Sequence, residues 1–272
     1  MTLRCDVGCC AAAHCCRAAG SETEAMPNER AASLRVIFVT ASGNMLEWFD
    51  FAIFGIFASE IGENFFPPSD GSTALIRAFS IYAGAFLIRP LGGLAFGLLG
   101  DKRGREVALL STILLMAGPT ATIGLLPSYE QIGVAAPVLL ALCRLLQGFA
   151  AGGELPGALV YLVESADANH RGLYGALIQA SGVGSLVASA VAALLHAVLG
   201  DDAVRRWGWR LPFLLGATIA LFTCVLRRNF KPTPVWLEAR RAREREEEQH
   251  REQQQREQQP PPQQQQREEV AA

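Results

Sequence analysis

Long apolar runs alternate with short polar segments along most of this chain. A membrane-spanning helix needs about 20 mostly apolar residues, and six stretches reach that length: residues 36–59, 78–99, 107–126, 132–163, 173–199 and 209–226. The third stretch contains no charged residue, which favours contact with lipid over packing in a soluble bundle. The ten-residue alternation of membrane β-strands does not occur. We therefore predict an all-α, polytopic membrane protein with six transmembrane helices.

Polar segments flank the apolar region and suggest three parts. We predict a disordered N-terminus over residues 1–33, a six-span domain over 34–230 and a charged, Gln-rich tail over 231–272. The tail has no apolar heptad positions, so we expect disorder or a frayed helix rather than a coiled coil. Lys and Arg are enriched in the 100–106 loop and at the start of the tail. Because short cytoplasmic loops carry such an excess, we predict cytoplasmic termini in a multi-pass plasma-membrane protein.

Charge and composition narrow the class of function. Charged residues make up 18% of the chain, and basic residues lie at the predicted membrane edges. No nucleic-acid partner is expected from that distribution, and no Ser/His/Asp arrangement predicts an enzyme. The N-terminus is unusual because Cys5, Cys9, Cys10, Cys15 and Cys16 lie near His14. That cluster is either a metal or S-acylation site or part of a disordered segment; since no further ligands recur at zinc spacing, we predict no metal site.

Several ionisable and amide side chains fall inside the predicted spans, where they are costly and usually functional. The candidates for contact with a solute or a proton are Asn44, Glu47, Asp50, Arg89, Arg144, Gln147 and Glu154. At a rise of 1.5 Å per residue, Glu47, Arg89 and Glu154 lie about 16, 15 and 14 Å from one membrane edge. We hypothesise that Arg89 offsets one carboxylate while another exchanges a proton or meets the solute. The alternative is a static ion pair that holds the helices together.

The connection between the second and third spans is short, charged and rich in glycine. Its characteristic residues are Gly97, Gly100, Asp101, Gly104 and Arg105. Glycines allow two helix ends to approach closely and to reverse direction within a few residues. Small residues also recur at Gly148 and Gly152, which favours close packing of the fourth span.

Five motifs appear in order along the chain. They are GNMLEWFDF at 43–51, Arg89-Pro90 with GLLGDKRGR at 97–105, RLLQGFAAGGE at 144–154, Glu164 with Arg171-Gly172, and WGWRLPF at 207–213. Together they resemble the metabolite:proton symporter family of the major facilitator superfamily, which includes proline/betaine, α-ketoglutarate, citrate and shikimate permeases. The resemblance covers residues 35–237. Glu106 departs from it, because the family usually has a basic residue there.

The resemblance implies twelve spans in two halves, of which this chain corresponds to the N-terminal half. It further implies proton-coupled transport of a small carboxylate or zwitterion, such as a dicarboxylate, proline or betaine, by alternating access. The 97–105 segment would be the gating loop, H⁺ the coupling ion, and no cofactor is needed. The expected partners are the solute, the lipid bilayer and a second six-span half or a second copy. The alternative is a truncated or split half that is a non-transporting membrane fragment or scaffold.

Overall fold

The computed structural model describes residues 27–68, 71–166 and 170–258, and these residues contain helices and turns but no strand. The cysteine-rich segment and the end of the tail lie outside the described residues. Two compact units are distinguished, residues 1–35 and 36–272.

The helices of the described residues follow one another with short connections. They are α1 (Pro27–Ile56), α2 (Ala58–Phe65), α3 (Gly71–Leu87), α4 (Arg89–Arg103), α5 (Arg105–Leu125), α6 (Tyr129–Ile132), α7 (Ala135–Ser165), α8 (Arg171–Ala180), α9 (Gly184–Leu199), α10 (Asp201–Ala203), α11 (Arg210–Arg227) and α12 (Pro234–Gln258). A 3-10 turn, Ser181–Val183, joins α8 to α9, and a π-helical turn, Val204–Gly208, precedes α11.

Six helical segments in the described residues are long and apolar enough to cross a membrane. They are Val36–Ile56, Gly71–Arg103, Arg105–Leu125, Ala135–Ser165, Arg171–Leu199 and Arg210–Arg227. The predicted all-α class and the six spans are therefore confirmed. The first span ends earlier than predicted, at Ile56, and the second begins earlier, at Gly71.

The second span is not one continuous helix. α3 ends at Leu87, and α4 begins at Arg89 with Pro90 in its first turn. A proline has no N–H to donate and its ring crowds the carbonyl four residues earlier, so Pro90 disfavours a regular helix across this point. Arg89 therefore lies at the start of a new helix, in the middle of the span.

The two polar ends of the chain contain more helix than the sequence suggests. α1 begins at Pro27, inside the segment predicted to be disordered, and α12 covers most of the predicted tail. Arg, Glu, Gln and Ala are good helix formers. Pairs four residues apart, such as Arg240 with Glu244 at 2.8 Å, add to the stability of α12.

Close helix crossings bring the spans that carry charges together. At Gly148 of α7, an added Cβ would lie 2.0 Å from the carbonyl oxygen of Ala85. At Gly152, it would lie 2.0 Å from the carbonyl oxygen of Arg89. The predicted close packing of the fourth span is confirmed at both glycines. Only a residue without a side chain allows α7 to lie this near α3 and α4.

The largest apolar cluster fills the end of the bundle next to α2. Its central side chains are Phe54, Phe57, Phe65, Trp209 and Phe213, all of them buried. Large aromatic side chains contribute much of the burial in such a cluster. This end is therefore well packed, and the charged groups of the spans lie between it and the 100–106 connection.

Candidate functional site

The acidic residues singled out in the spans all pair with arginines of other helices. Glu47 pairs with Arg89, Asp50 with Arg144, and Glu154 with Arg227. Each carboxylate residue is only 2% exposed. A buried charge that lost its partner would destabilise the fold by several kcal/mol, so the three pairs also hold the helices to one another.

The Asp50 pair is fully enclosed by neighbours. Nη1 of Arg144 donates to Oδ2 of Asp50 at 2.8 Å, and Nε2 of Gln147 donates to Oδ1 at 3.2 Å. The hydroxyl of Thr120 donates to the same Oδ1 at 3.1 Å. The Arg144 guanidinium lies 3.8 Å from the centre of the Phe54 ring. Both oxygens of Asp50 thus accept hydrogen bonds in a polar centre between α1, α5 and α7, while Nε of Arg144 and Oε1 of Gln147 have no partner among the described residues.

The Glu154 pair has a partner that the sequence analysis did not single out. Arg227 is the last residue of α11 and is 2% exposed. Its Nη1 and Nη2 donate to the two carboxylate oxygens of Glu154 at 3.0 and 2.5 Å, and Thr112 donates to Oε2 at 2.6 Å. The backbone of Gly43 packs directly against this pair and leaves no room for a side chain, because an added Cβ would lie 1.9 Å from Nη2 of Arg227.

Arg227 also binds the backbone of two other helices. It donates to the carbonyl oxygens of Leu109 at 2.9 Å and Thr40 at 3.1 Å. Both oxygens of Glu154 are therefore occupied, and its guanidinium partner ties together α1, α5, α7 and α11. The pair has the geometry of a structural tie, since a bidentate arginine–carboxylate pair with further hydrogen bonds is among the strongest.

The Glu47 pair is the open one. Nη1 of Arg89 lies 3.1 Å from Oε1 of Glu47. The depths of the residues left both Glu47 and Glu154 open as the partner of Arg89. Oε2 of Glu47 is buried without a hydrogen-bond partner among the described residues, whereas both oxygens of the other two carboxylates have partners. Nε has no partner in any of the three arginines, so the difference lies in the carboxylate. The side chain of Arg89 is 25% exposed, whereas those of Arg144 and Arg227 are 0% exposed.

A cavity of about 220 Å³ borders this open pair. Its walls come from α1, α3, α4 and α9: Glu47, Trp48, Phe51, Ala52, Tyr82, Phe86, Arg89 and Ser185. The Arg89 guanidinium is stacked between the rings of Phe51 and Phe86, at 4.3 and 4.4 Å from their centres. The cavity therefore combines one carboxylate and one guanidinium with mostly aromatic walls.

Asn44, the remaining amide of α1, does not join the Glu47 pair. Its Nδ2 donates to the carbonyl oxygen of Ile178 at 3.2 Å and to the hydroxyl of Ser181. These contacts lie at the 3-10 turn that interrupts the fifth span. Asn44 therefore binds α1 to this turn, and its Oδ1 has no partner among the described residues.

The structure brings together most of the residues predicted for the gating loop. α4 continues to Arg103 and α5 starts at Arg105, so Gly104 alone connects them, with a φ of 114° that favours glycine. Arg105 bridges Asp101 at 2.6 Å and Glu164 at 3.4 Å. Gly100 is buried, and a Cβ there would lie 3.2 Å from Nη1 of Arg105.

Gly97 does not take part in this close approach. It lies on an exposed face of α4, and an added Cβ there would meet nothing within 4 Å. The prediction of a close contact at Gly97 is wrong because the α4 face that packs on other helices carries Phe96 and Gly100 instead.

The first turns of α12 lie against this connection, a contact that the sequence analysis missed. Nε1 of Trp236 and Nη2 of Arg243 donate to the carbonyl oxygen of Asp101 at 3.2 and 3.0 Å. The hydroxyl of Thr233 donates to Glu164 at 2.6 Å. Trp236 and Thr233 are buried. The sequence signal for this contact was Trp236 itself, because a tryptophan at the start of a charged segment is usually buried against something.

Metal ligands do not gather in this region. Within residues 27–68, 71–166 and 170–258, no group of three or more His, Cys, Asp or Glu side chains could hold a metal ion. The site chemistry available here is that of paired carboxylates, guanidinium groups and aromatic rings.

Comparison with known proteins agrees with this architecture. The family model described as "Sugar (and other) transporter" matches residues 36–272. A putative proline/betaine transporter of Staphylococcus aureus (strain COL) is 45% identical over 204 residues, which are 74% of this chain and 44% of that protein. The glycine betaine/proline/ectoine/pipecolic acid transporter OusA of Dickeya dadantii is 41% identical over 203 residues, which are 74% of this chain and 40% of that protein.

Solved structures show the same fold. The xylose transporter XylE of E. coli, in a partially occluded inward-open conformation, superposes with a TM-score of 0.68 at 19% identity. The superposition covers 76% of this chain and 52% of that one. The chain thus spans about half the length of the proteins it matches, and those proteins are transporters rather than enzymes. By the family match and by its fold, the chain belongs to the sugar (and other) transporter family of the major facilitator superfamily, and its six spans are equivalent to one half of a twelve-helix transporter.

Proposed function

We propose that the six-span unit transports a small organic solute, a carboxylate or a zwitterion such as proline or betaine, by proton symport. The observation that carries the proposal is the open Glu47–Arg89 pair beside a cavity. A buried carboxylate with an unused oxygen and a partly exposed guanidinium are costly in a membrane span and are functional candidates for that reason. The substrates in the names of the proline/betaine relatives support the class of solute.

The pair offers a direct way to couple a proton to the solute. When Glu47 takes up a proton it loses its charge, and its attraction to Arg89 falls. Arg89 is then free to bind a solute carboxylate with two parallel hydrogen bonds. Protonation of Glu47 and binding of the solute both require the same salt bridge to separate. Each event therefore raises the affinity for the other, which is positive coupling between two sites.

The other two pairs have a different role in this proposal. Both oxygens of Asp50 and of Glu154 already accept hydrogen bonds. Asp50, Arg144 and Gln147 hold α1 against α7, and Glu154 holds α7 against α11. Asn44 joins α1 to the interrupted fifth span. These residues keep the spans rigid around the pair that changes.

The partner proposed for alternating access is a second six-span unit, either a separate half or a second copy. The spans Gly71–Arg103 and Arg171–Leu199 are the least buried, with 22% and 17% of their apolar windows buried. They also supply Tyr82, Phe86, Arg89 and Ser185 to the cavity. A polar cavity on an exposed face in the membrane is costly to leave against lipid, so this face is the one expected to be covered.

The gating role of Asp101 and Arg105 and the orientation belong to the same proposal. The plasma membrane is the proposed location, with the 100–106 connection and the termini in the cytoplasm. The enrichment of Lys and Arg near that connection supports this orientation. In alternating access, the Arg105 bridges to Asp101 and Glu164 would open and close with the cavity.

The test is uptake into proteoliposomes that contain the full chain, with an imposed pH gradient. A panel of labelled betaine, proline, a dicarboxylate and xylose is offered, and a protonophore is added as a control for coupling. We expect accumulation of at least one carboxylate or zwitterion that the protonophore abolishes. The Glu47→Gln variant should lose accumulation, whereas Glu63→Gln, on the exposed side of α2, should keep it. No uptake of any solute at any protein loading would contradict transport and favour a non-transporting membrane scaffold.

A further inference from the structure

The cavity beside Glu47 and Arg89 has a size and lining that restrict its ligand. Its volume of about 220 Å³ lies below the 300–1,000 Å³ usual for drug-sized ligands. Few neutral hydrogen-bonding groups line it, chiefly the hydroxyls of Ser185 and Tyr82. A sugar needs many such groups, so the lining suits a small charged solute better than a polyol.

The unused polar atoms carry both signs of charge. Glu47 is 98% buried, and its Oε2 has no partner among the described residues although the side chain lines the cavity. Nε of Arg89 likewise has no partner. A guanidinium with a free edge binds a carboxylate well. One pole of the ligand is therefore expected to be a carboxylate on Arg89.

The aromatic walls provide for the opposite pole. Arg89 already occupies the faces of Phe51 and Phe86. Trp48 also lines the cavity and is 43% exposed, and Tyr82 stands on the α3 side. A cation over an indole face is attracted by the ring quadrupole, and quaternary ammonium groups are recognised in this way. Oε2 of Glu47, which has no partner, would also attract a cation at Trp48. It is a negatively charged oxygen when Glu47 is ionised and a dipolar one when Glu47 is protonated.

We propose that this cavity binds a zwitterion, with its carboxylate on Arg89 and its ammonium or quaternary ammonium group against Trp48 and Tyr82. Trp48 is then the residue that distinguishes a zwitterion from a plain carboxylate. The inference rests on the proposed transport function, which leaves the class of solute open between the two. Dicarboxylates are disfavoured because their second carboxylate would face Trp48 and Glu47.

Three small ligands of similar shape separate the contributions of the two poles. Trimethylglycine carries both poles, 3,3-dimethylbutanoate replaces the quaternary nitrogen with carbon, and choline lacks the carboxylate. Binding to the full chain in lipid nanodiscs is measured by calorimetry. We expect trimethylglycine to bind at least about tenfold more tightly than either analogue, in keeping with a desolvated cation–π contact.

Substitutions of Trp48 test whether its indole ring causes the difference in affinity between trimethylglycine and its analogues. Trp48→Leu should bring the affinities for trimethylglycine and 3,3-dimethylbutanoate to within about twofold of each other, since the aromatic face is gone. Trp48→Phe should keep part of the preference. Trp207→Leu is the matched control, because Trp207 is similarly exposed at 48% but lies on the π-helical turn. Thermal unfolding of each variant confirms that the fold is retained.

The outcomes distinguish this inference from the transport proposal. Equal binding of trimethylglycine and 3,3-dimethylbutanoate by the wild-type chain would overturn the zwitterion site, as would an unchanged preference in Trp48→Leu. Uptake of a dicarboxylate or xylose without binding of trimethylglycine would also overturn it while leaving transport in place. If no ligand binds and no solute in the uptake panel moves, both proposals fail.

Discussion

At the scale of single residues, the three buried acid–base pairs look alike in sequence and differ in structure. Glu154 uses both oxygens on Arg227 and Thr112, whereas Glu47 uses one oxygen on Arg89. The difference lies in how many neighbours each carboxylate has, not in its depth. A carboxylate with a spare oxygen can change its protonation or its partner without breaking the fold, and a saturated one cannot.

A substitution at Gly43 tests how tightly the Glu154–Arg227 pair is packed. A Gly43→Ala change would place Cβ 1.9 Å from Nη2 of Arg227 and 2.3 Å from Oε1 of Glu154. Because both groups are buried and locked together, we expect a loss of about 3 kcal/mol in the free energy of unfolding, as for a broken buried pair. Gly55→Ala is the control on the same helix, since its Cβ meets nothing within 4 Å. Unfolding in detergent, followed by circular dichroism, measures both; equal stability of the two variants would contradict the structure.

Arg227 can be tested through its partner. Arg227→Leu leaves the Glu154 carboxylate buried without its cation, so we expect a loss of about 3–5 kcal/mol in the free energy of unfolding. Combining it with Glu154→Gln removes that charge and should recover part of the loss. With the Glu154→Gln single variant included, the same unfolding measurement gives the coupling energy of the pair. A double variant as unstable as Arg227→Leu alone would show that Glu154 does not depend on Arg227.

Sequence reasoning found the carboxylates but not all of their partners. Similar depths in the predicted spans made Glu47 and Glu154 equal candidates to pair with Arg89, and the structure contains the salt bridge to Glu47. Arg227 was missed because it stands beside Arg228 and Lys231, where basic residues usually mark the membrane edge. The pairing depends on how α11 lies against α7 and α1, which hydropathy does not reveal. The sequence contains one indication of this pair, which is that a carboxylate inside a predicted span, here Glu154, needs a cationic partner.

At the scale of helices, interruptions and close crossings position the cavity. Pro90 breaks the second span so that Arg89 starts a new helix, and Gly148 and Gly152 bring α7 against that break. The six spans were predictable from apolar runs alone. A frayed helix was one of the two expectations for the tail, and Pro90 was a visible signal for the break at Ile88. The 3-10 turn in the fifth span was not predictable, because it depends on local backbone geometry and on packing against neighbours.

The contact between α12 and the α4–α5 connection leads to a prediction about that element. Trp236→Ala removes a hydrogen bond to the carbonyl oxygen of Asp101 and a buried ring. A hydrogen bond is worth about 1 kcal/mol, so we expect amide hydrogen exchange in residues 100–106 to become about five- to tenfold faster. Arg245→Ala, at an exposed position of α12, is the control. Unchanged exchange in Trp236→Ala would mean that α12 does not hold the connection.

At the scale of the whole molecule, the cavity lies on the face made by the two least buried spans. A transporter that alternates its access needs a second unit on that face. In the proposed transport cycle the cavity would be a shared site, to which this chain would contribute Glu47, Trp48 and Arg89.

The need for a second unit predicts how uptake depends on protein density. If two copies of this chain must meet, initial uptake per vesicle at fewer than one chain per vesicle should rise with the square of the protein-to-lipid ratio. The measurement is labelled betaine uptake across a dilution series of proteoliposomes. A strictly linear dependence would contradict pairing of copies and would mean that a single chain is sufficient.

Proton movement is the most direct measure of the proposed coupling between a proton and the solute at the Glu47–Arg89 pair. Proteoliposomes with a trapped pH dye and no imposed gradient receive betaine from outside, and the internal pH is followed. We expect betaine entry to acidify the interior of vesicles with the wild-type chain or with Glu63→Gln. Vesicles with Glu47→Gln should show no acidification. Acidification of the same size and rate in Glu47→Gln would contradict the proposed coupling.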